Sequence, residues 1–244
     1  MRIIPVIDIL GAQVVHGVKG ERHKYPPIKS TITVSTSPLE VAKAFKKHFS
    51  VAELYIADLD AILHRNFTFA YLEEIISKTQ LRIMLDAGIN EPDLAQELLK
   101  KGVKKVIIGT ETLPSIKNLQ KILTILSPEK IIVSLDLKGG KILSQAADLQ
   151  RKSPFEASHY LEDLGIQEVI VLELTRVGSE SGVMTEILRK ILQQTSLTII
   201  TGGGARNIRD LKELQNAGVS GVLIATALHN GSITPQDLTS FLHF

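Results

Sequence analysis

At 244 residues, with 44% hydrophobic and 22% charged side chains, the chain has the composition of a soluble globular protein long enough for one large core or two small domains. Its 28 basic and 26 acidic residues are interspersed and leave a net charge of +2, so no electrostatic footprint for nucleic acid stands out, and 5% aromatics without tryptophan offer little for base stacking. Cysteine is absent, which excludes disulfides, thiolate metal ligands and a cysteine nucleophile, and Asp8 interrupts the N-terminal "MRIIPVIDIL", so no signal peptide or membrane span is read and a cytoplasmic protein is expected.

Short apolar runs recur along the chain: "RIIPVID" (2–8), "AELYIADLD" (52–60), "LRIMLDAG" (81–88), "VKKVIIGT" (103–110), "EKIIVSLDL" (129–137), "QEVIVLEL" (167–174), "LTIITGGG" (197–204) and "SGVLIAT" (220–226). Each is a near-continuous Val/Ile/Leu run of strand length, the pattern of strands buried on both faces of a parallel sheet. Amphipathic stretches between them read as helices. "SPLEVAKAFKKHF" (37–49) enters on Ser37 and Pro38 with Glu40 spaced for a capping box. "NEPDLAQELLKKG" (90–102) and "NIRDLKELQNAG" (207–218) start on Asn90 and Asn207 and stop at Gly102 and Gly218. Eight strand–helix units in this length predict an α/β protein with a single (β/α)8, or TIM, barrel over 1–244. No G-x-G-x-x-G follows the first strand, as an open doubly wound sheet would show, and no linker divides the chain.

The two halves, about 1–125 and 126–244, resemble each other. "VIDILGAQVV" (6–15) aligns with "SLDLKGGKIL" (134–143), which puts Asp8 on Asp136, and "LDAGINEPDLAQELLKKGVKKVIIGTETL" (85–113) aligns with "TGGGARNIRDLKELQNAGVSGVLIATALH" (201–229) without a gap. A barrel built from two repeated half-barrels explains the match.

In such a barrel the reactive groups gather at the C-terminal mouth. Asp8, Asp58, Asp60, Asp86 and Asp136 fall at or just after strand ends. Asp58, Asp60 and Asp86 serve equally well as loop caps, whereas Asp8 and Asp136 stand on strands one and five, across the barrel from each other, where one can remove a proton and the other deliver one. Gly202, Gly203 and Gly204 after strand seven, with Ala225 and Thr226 after strand eight, occupy the customary phosphate site of this fold. The long loop after strand one, "HGVKGERHKYPPIKSTITVS" (16–35), carries His16, Lys19, Arg22, His23, Lys24 and Lys29, and reads either as a solvated loop or as a lid bringing cations to the substrate.

"RIIPVID", "LYIADLDA", "VIIGTETL", "VSLDLKGGKI", "TGGGARNIRDL" and "GVLIATALHNG", in this order over almost the whole chain, resemble the histidine-biosynthesis barrel family, which comprises the phosphoribosylformimino-aminoimidazole carboxamide ribotide isomerase and the cyclase of imidazole glycerol phosphate synthase. The resemblance implies a half-barrel duplication, a substrate with a phosphate at each end, and an Amadori aminoaldose-to-aminoketose isomerisation with Asp8 as general base and Asp136 as general acid. It implies no metal or organic cofactor; the seven histidines are also scattered without metal-ligand spacing.

Two stretches depart from the family pattern. After strand three the isomerase has a glycine triplet followed by Ile-Arg, where this chain has "DAGIN", with Asp86 at the first glycine and Asn90 at the arginine. After strand six, "LELTRVGSESG" (172–182) puts Leu172 at the family's threonine and Val177 at its second aspartate; Thr175 either replaces the missing hydroxyl or is a loop threonine. Gly109 and Thr110 remain to bind a smaller anion, and Lys19, Arg22, Asp58, Asp86 and Arg176 are further candidates for substrate contact. "HGVKGERHKYPPIKS" and "LYIADLDAI" are most similar to a divergent isomerase/cyclase-related branch of methanogens and methylotrophs, implying a role in one-carbon, tetrahydromethanopterin-linked cofactor biosynthesis. Three functions fit these residues: a phosphosugar isomerase, a synthase or lyase-type member with another substrate, fed or not by a partner subunit, and a non-catalytic barrel that binds a phosphorylated metabolite. Membrane and nucleic-acid partners are not expected, and homo-oligomerisation is left open.

Overall fold

A computed structural model of the chain describes residues 1–177 and 182–242. Gly178, Ser179, Glu180 and Ser181 of the loop after the sixth strand, and His243 and Phe244, lie outside the described residues. The eight apolar runs form parallel strands: β1 (Arg2–Leu10), β2 (Glu53–Asp58), β3 (Arg82–Asp86), β4 (Lys105–Gly109), β5 (Ile131–Lys138), β6 (Glu168–Glu173), β7 (Thr198–Gly202) and β8 (Gly221–Ile224). They pair in sequence order, and β8 pairs with β1 from Arg2↔Gly221 to Pro5↔Ile224, so the sheet closes into a barrel. Around it lie α1 (Pro38–Phe49), α2 (Ala70–Thr79), α3 (Pro92–Lys100), α4 (Ile116–Ile125), α5 (Pro154–Asp163), α6 (Glu186–Gln194), α7 (Ile208–Asn216) and α8 (Pro235–Leu242). No described helix is long and apolar enough to cross a membrane.

Alternation along each strand sends one set of side chains outward under the helices and the other into the barrel. The interior is stratified. At the N-terminal end, Glu168 accepts hydrogen bonds from both Arg2 and Lys105, and Glu53 lies 3.6 Å from Arg2, which makes an ionic floor. Above it Ile4, Met84, Ile107, Ile132, Ile170 and Ile200 fill an apolar layer. The inward positions nearest the mouth are Asp8, Asp86, Gly109 and Asp136. Both β1 and β5 overrun the barrel rim and fold back, pairing with Gln13–Val15 and Lys141–Ile142.

Helix entries differ from the sequence expectation at two places. Ser37 caps α1 through its backbone geometry alone, and Glu40 pairs with Lys43 instead of closing a capping box. The helix after β3 is capped by Glu91, not Asn90, because Pro92 at its first turn fixes the entry one residue later; Asn90 turns toward Arg65 and Asn118. A complete capping box forms instead at Ser153 and Glu156 of α5. Asn207 caps α7 as expected, accepting from the backbone N–H groups of Arg209 and Asp210, and Gly102 and Gly218 stop their helices with φ of +98° and +92°.

Candidate active site

The mouth holds a cavity of about 120 Å³ walled by strand ends from around the barrel. Asp8 and Asp136 reach it from β1 and β5, strands diametrically opposed in the order of the sheet. Asp136 is fixed on three sides. Its Oδ1 accepts from Ser134 Oγ at 2.8 Å, its Oδ2 from the Glu111 backbone N–H at 3.4 Å, and its own N–H donates to Thr110 Oγ1 at 3.1 Å. Burial pushes its carboxyl up to about 7, with the Asp86 charge adding to the effect and the Ser134 hydrogen bond opposing it. Asp8 is likewise pushed up to about 7 by burial, against the pull of the Arg22 guanidinium. Its cover is the loop after β1: a Cβ built on Gly17 would stand 2.7 Å from Asp8 Oδ2, so a larger residue there would push the carboxyl aside.

Asp86 is the third carboxyl of the cavity. It accepts from the Gly88 N–H at 3.1 Å and from the Tyr55 hydroxyl at 3.3 Å, and burial lifts it to about 6. Gly109 leaves the space between Asp86 and Asp136 open, since its Cβ would sit 3.7 and 3.4 Å from their Oδ2 atoms. Of the cations in the 16–35 loop, Arg22 is the one that lines the cavity; Glu111, just beyond β4, accepts both of its terminal N–H groups at 2.6 Å. The loop is tied across the mouth by Lys19 N–H to the Val177 carbonyl at 2.9 Å and anchored farther on by Thr31 N–H to the His229 carbonyl at 2.8 Å. His229 is itself buried, its Nδ1 2.9 Å from Ser30 Oγ and its ring against Phe45, and burial holds it down to about 4.

The expected phosphate residues divide. Gly203, Gly204, Ala225 and Thr226 line the cavity, with φ of +79° and +103° at the two glycines. Gly202 lies within β7, where a Cβ would stand 2.8 Å from Leu223 Cβ; its smallness serves barrel packing. Gly109 lines the cavity on the other side, while the Thr110 hydroxyl donates to the Leu143 carbonyl and holds the β5 hairpin.

Several other candidates are engaged away from the cavity. Asp58 caps the short helix Leu59–His64 and accepts from Tyr71, and Asp60 accepts from the Gly11 N–H at 2.8 Å. Thr175 is exposed, with its hydroxyl donating to Glu173 at 2.7 Å; Arg176 donates to the Gly182 carbonyl, and Lys19 contributes its backbone only to the loop closure. Sequence reasoning passed over Tyr55, Tyr25 and Glu111, all of which line the cavity. The strand-end rule that singles out Asp8 also covers Glu111, and the alternation of β2 puts Tyr55 inward with Ala57. Among the described residues, no cluster of three or more His, Asp or Glu side chains is arranged to hold a metal ion.

A family described as histidine biosynthesis protein matches residues 2–234 of this chain. The chain belongs to that family. An uncharacterized protein of Methanocaldococcus jannaschii is 35% identical over 244 residues, covering 98% of this chain and 97% of its own length. The 1-(5-phosphoribosyl)-5-((5-phosphoribosylamino)methylideneamino) imidazole-4-carboxamide isomerase of Methanosphaera stadtmanae is 32% identical over 242 residues, 99% of each chain. The isomerase of the same name from Bacillus cytotoxicus is 29% identical over 240 residues, 98% of this chain and 97% of its own. Family membership and the closed barrel agree, and the mouth described above is the end at which such barrels carry their chemistry.

Proposed function

We propose that the chain is an aldose–ketose isomerase acting on a small phosphorylated ribosyl compound, with Asp8 as general base and Asp136 as general acid. The observation that carries this reading is the pair of enclosed carboxyls on opposite strands of one cavity, both lifted to about 7, where each exchanges a proton readily near neutrality. In this reading Asp136 donates its proton to the ribose ring oxygen as the C1–O bond breaks to leave a C1 iminium, Asp8 takes the proton from C2 to give the enaminol, and a proton returned to C1 as the C2 hydroxyl gives up its own completes the ketose. Gly203, Gly204, Ala225 and Thr226 receive a phosphate. The relatives named as isomerases favour the same chemistry.

The test is conversion of the ribotide named in those relatives to its ketose by the purified protein; absence of turnover with intact folding overturns the assignment of that substrate. The phosphate end is tested separately. Inorganic phosphate is expected to raise the melting temperature of the wild type, and Gly203→Ala is expected to lose that rise, because the residue sits at φ +79° and its Cβ would press on Val177 Cγ2 at 3.2 Å. An undiminished rise in the variant sinks that site.

Asp86 favours a second reading, in which the same acid–base pair serves a substrate with a single phosphate. Asp8, Asp86, Asp136 and Glu111 line the cavity against one guanidinium that is already paired, so a second phosphate on the β3 side meets repulsion. Deuterium uptake from solvent at C2 of ribose 5-phosphate, without turnover of the larger ribotide, selects this reading.

A further inference from the structure

Asp8 and Asp136 have opposite tasks in the proposed reaction, yet burial raises both to about the same value. What distinguishes them is their neighbours. Asp8 faces Arg22 and Tyr25 of the covering loop, Tyr55 of β2 and Asp86 of β3. Asp136 faces Ser134 on its own strand, Tyr55, Asp86, and Glu111 beyond β4. The walls from β6 to β8 give Leu172, Gly203 and Leu223, none of which titrates. Arg22 is therefore the cation that acts on Asp8, and its position is set by the two 2.6 Å hydrogen bonds to Glu111. The same Glu111 donates its backbone N–H to Asp136 Oδ2 at 3.4 Å, so one residue touches the acid and grips the cation of the base.

We propose that Glu111 is the positioning residue that makes Asp8 the base and Asp136 the acid, by holding the Arg22 guanidinium beside Asp8 while its own carboxylate stands on the side of Asp136. The inference rests on the acid–base pair proposed above, but its test needs no substrate. A guanidinium near a carboxyl favours the ionised form, and a neighbouring carboxylate favours the protonated one. Removing the negative charge at 111 therefore works on both groups at once: the Arg22 guanidinium loses the anchor that fixes it at Asp8, so Asp8 becomes harder to ionise, while Asp136 loses a like charge and becomes easier to ionise. The backbone N–H of residue 111 is retained in any side-chain variant, so its effect cancels in the comparison.

The experiment is a carbon-13 NMR titration of the full chain labelled at the aspartate carboxyl carbons, with the two signals assigned through Asp8→Asn and Asp136→Asn. In Glu111→Gln the Asp8 midpoint is expected to rise and the Asp136 midpoint to fall, each by about half a pH unit or more. In Arg22→Met, which carries the test should the first variant not fold, only the Asp8 midpoint is expected to rise. Unchanged midpoints in Glu111→Gln, or two midpoints moving the same way as general loosening would move them, overturn the proposal. If the ribotide is turned over, the pH profile of kcat/KM narrows from both sides in Glu111→Gln. A shifted titration without turnover in the wild type leaves the role of Glu111 standing and overturns the reaction assignment alone.

Discussion

In the proposed isomerisation, Asp8→Asn is expected to turn over the ribotide about 10³-fold more slowly than wild type, the loss that removal of a positioned general base brings. Asparagine keeps the shape of the side chain, so the substrate still binds and the loss falls on kcat. The wild-type kcat/KM is expected to trace a narrow bell centred near pH 7: activity falls at lower pH as Asp8 takes up its proton and at higher pH as Asp136 loses the one it must donate. The same variant carries a stability signature of opposite sign. A carboxyl whose folded value is raised binds its proton more tightly in the folded state than in the unfolded one, so stability falls as pH climbs from the unfolded value toward about 7. Asp8→Asn removes that penalty. Its melting temperature is expected to exceed that of the wild type at pH 8 and to match it near pH 4, and a variant that is both active and no more stable at pH 8 contradicts the role given to this carboxyl.

Glu168→Ala is expected to cost about 3 kcal/mol of stability, a loss that equilibrium unfolding in denaturant would measure. Glu168 is 5% exposed and is the carboxylate on which both Arg2 and Lys105 close the floor of the barrel. Removing it strands two cations at the rim of an apolar interior, where losing one partner costs more than the pair contributed. Glu53 remains 3.6 Å from Arg2 and recovers part of the loss, so Lys105 is the group left most exposed to the penalty. A cost below about 1 kcal/mol would show the floor to be solvated and the ion pairs to be worth no more than surface ones. Turnover at temperatures where the variant is folded is expected to be unchanged.

The strands were legible because a parallel barrel buries both faces, which leaves runs such as "KIIVSLDL" with almost no polar interruption. Their ends were less so. The run 52–60 includes Asp58 and Asp60, but the strand stops at Asp58 because that side chain turns the chain into a short helix. Neither short return strand, Gln13–Val15 or Lys141–Ile142, has a pattern long enough to read. Asp8, Asp86 and Asp136, at strand ends, line the cavity, since the alternation of a strand fixes which way each residue points. That alternation does not extend to Thr175 and Arg176, which sit on a 3₁₀ turn and bond to Glu173 and Gly182. Thr110 and Glu111 follow β4 in succession, and only the packed structure tells that the first supports Asp136 from behind while the second faces the opening.

The apolar layer of Ile4, Met84, Ile107, Ile132, Ile170 and Ile200 separates the ionic floor from the carboxyls of the mouth. Charges on its two sides are insulated from one another, and changes made on both sides at once should combine additively, as expected of groups that share no partner. A lineage carrying this barrel can therefore exchange one rim side chain for another, an arginine for an asparagine or a glycine for an aspartate, without disturbing the ion pairs of the floor. What the mouth binds and what the floor contributes to stability then have separate addresses in the sequence.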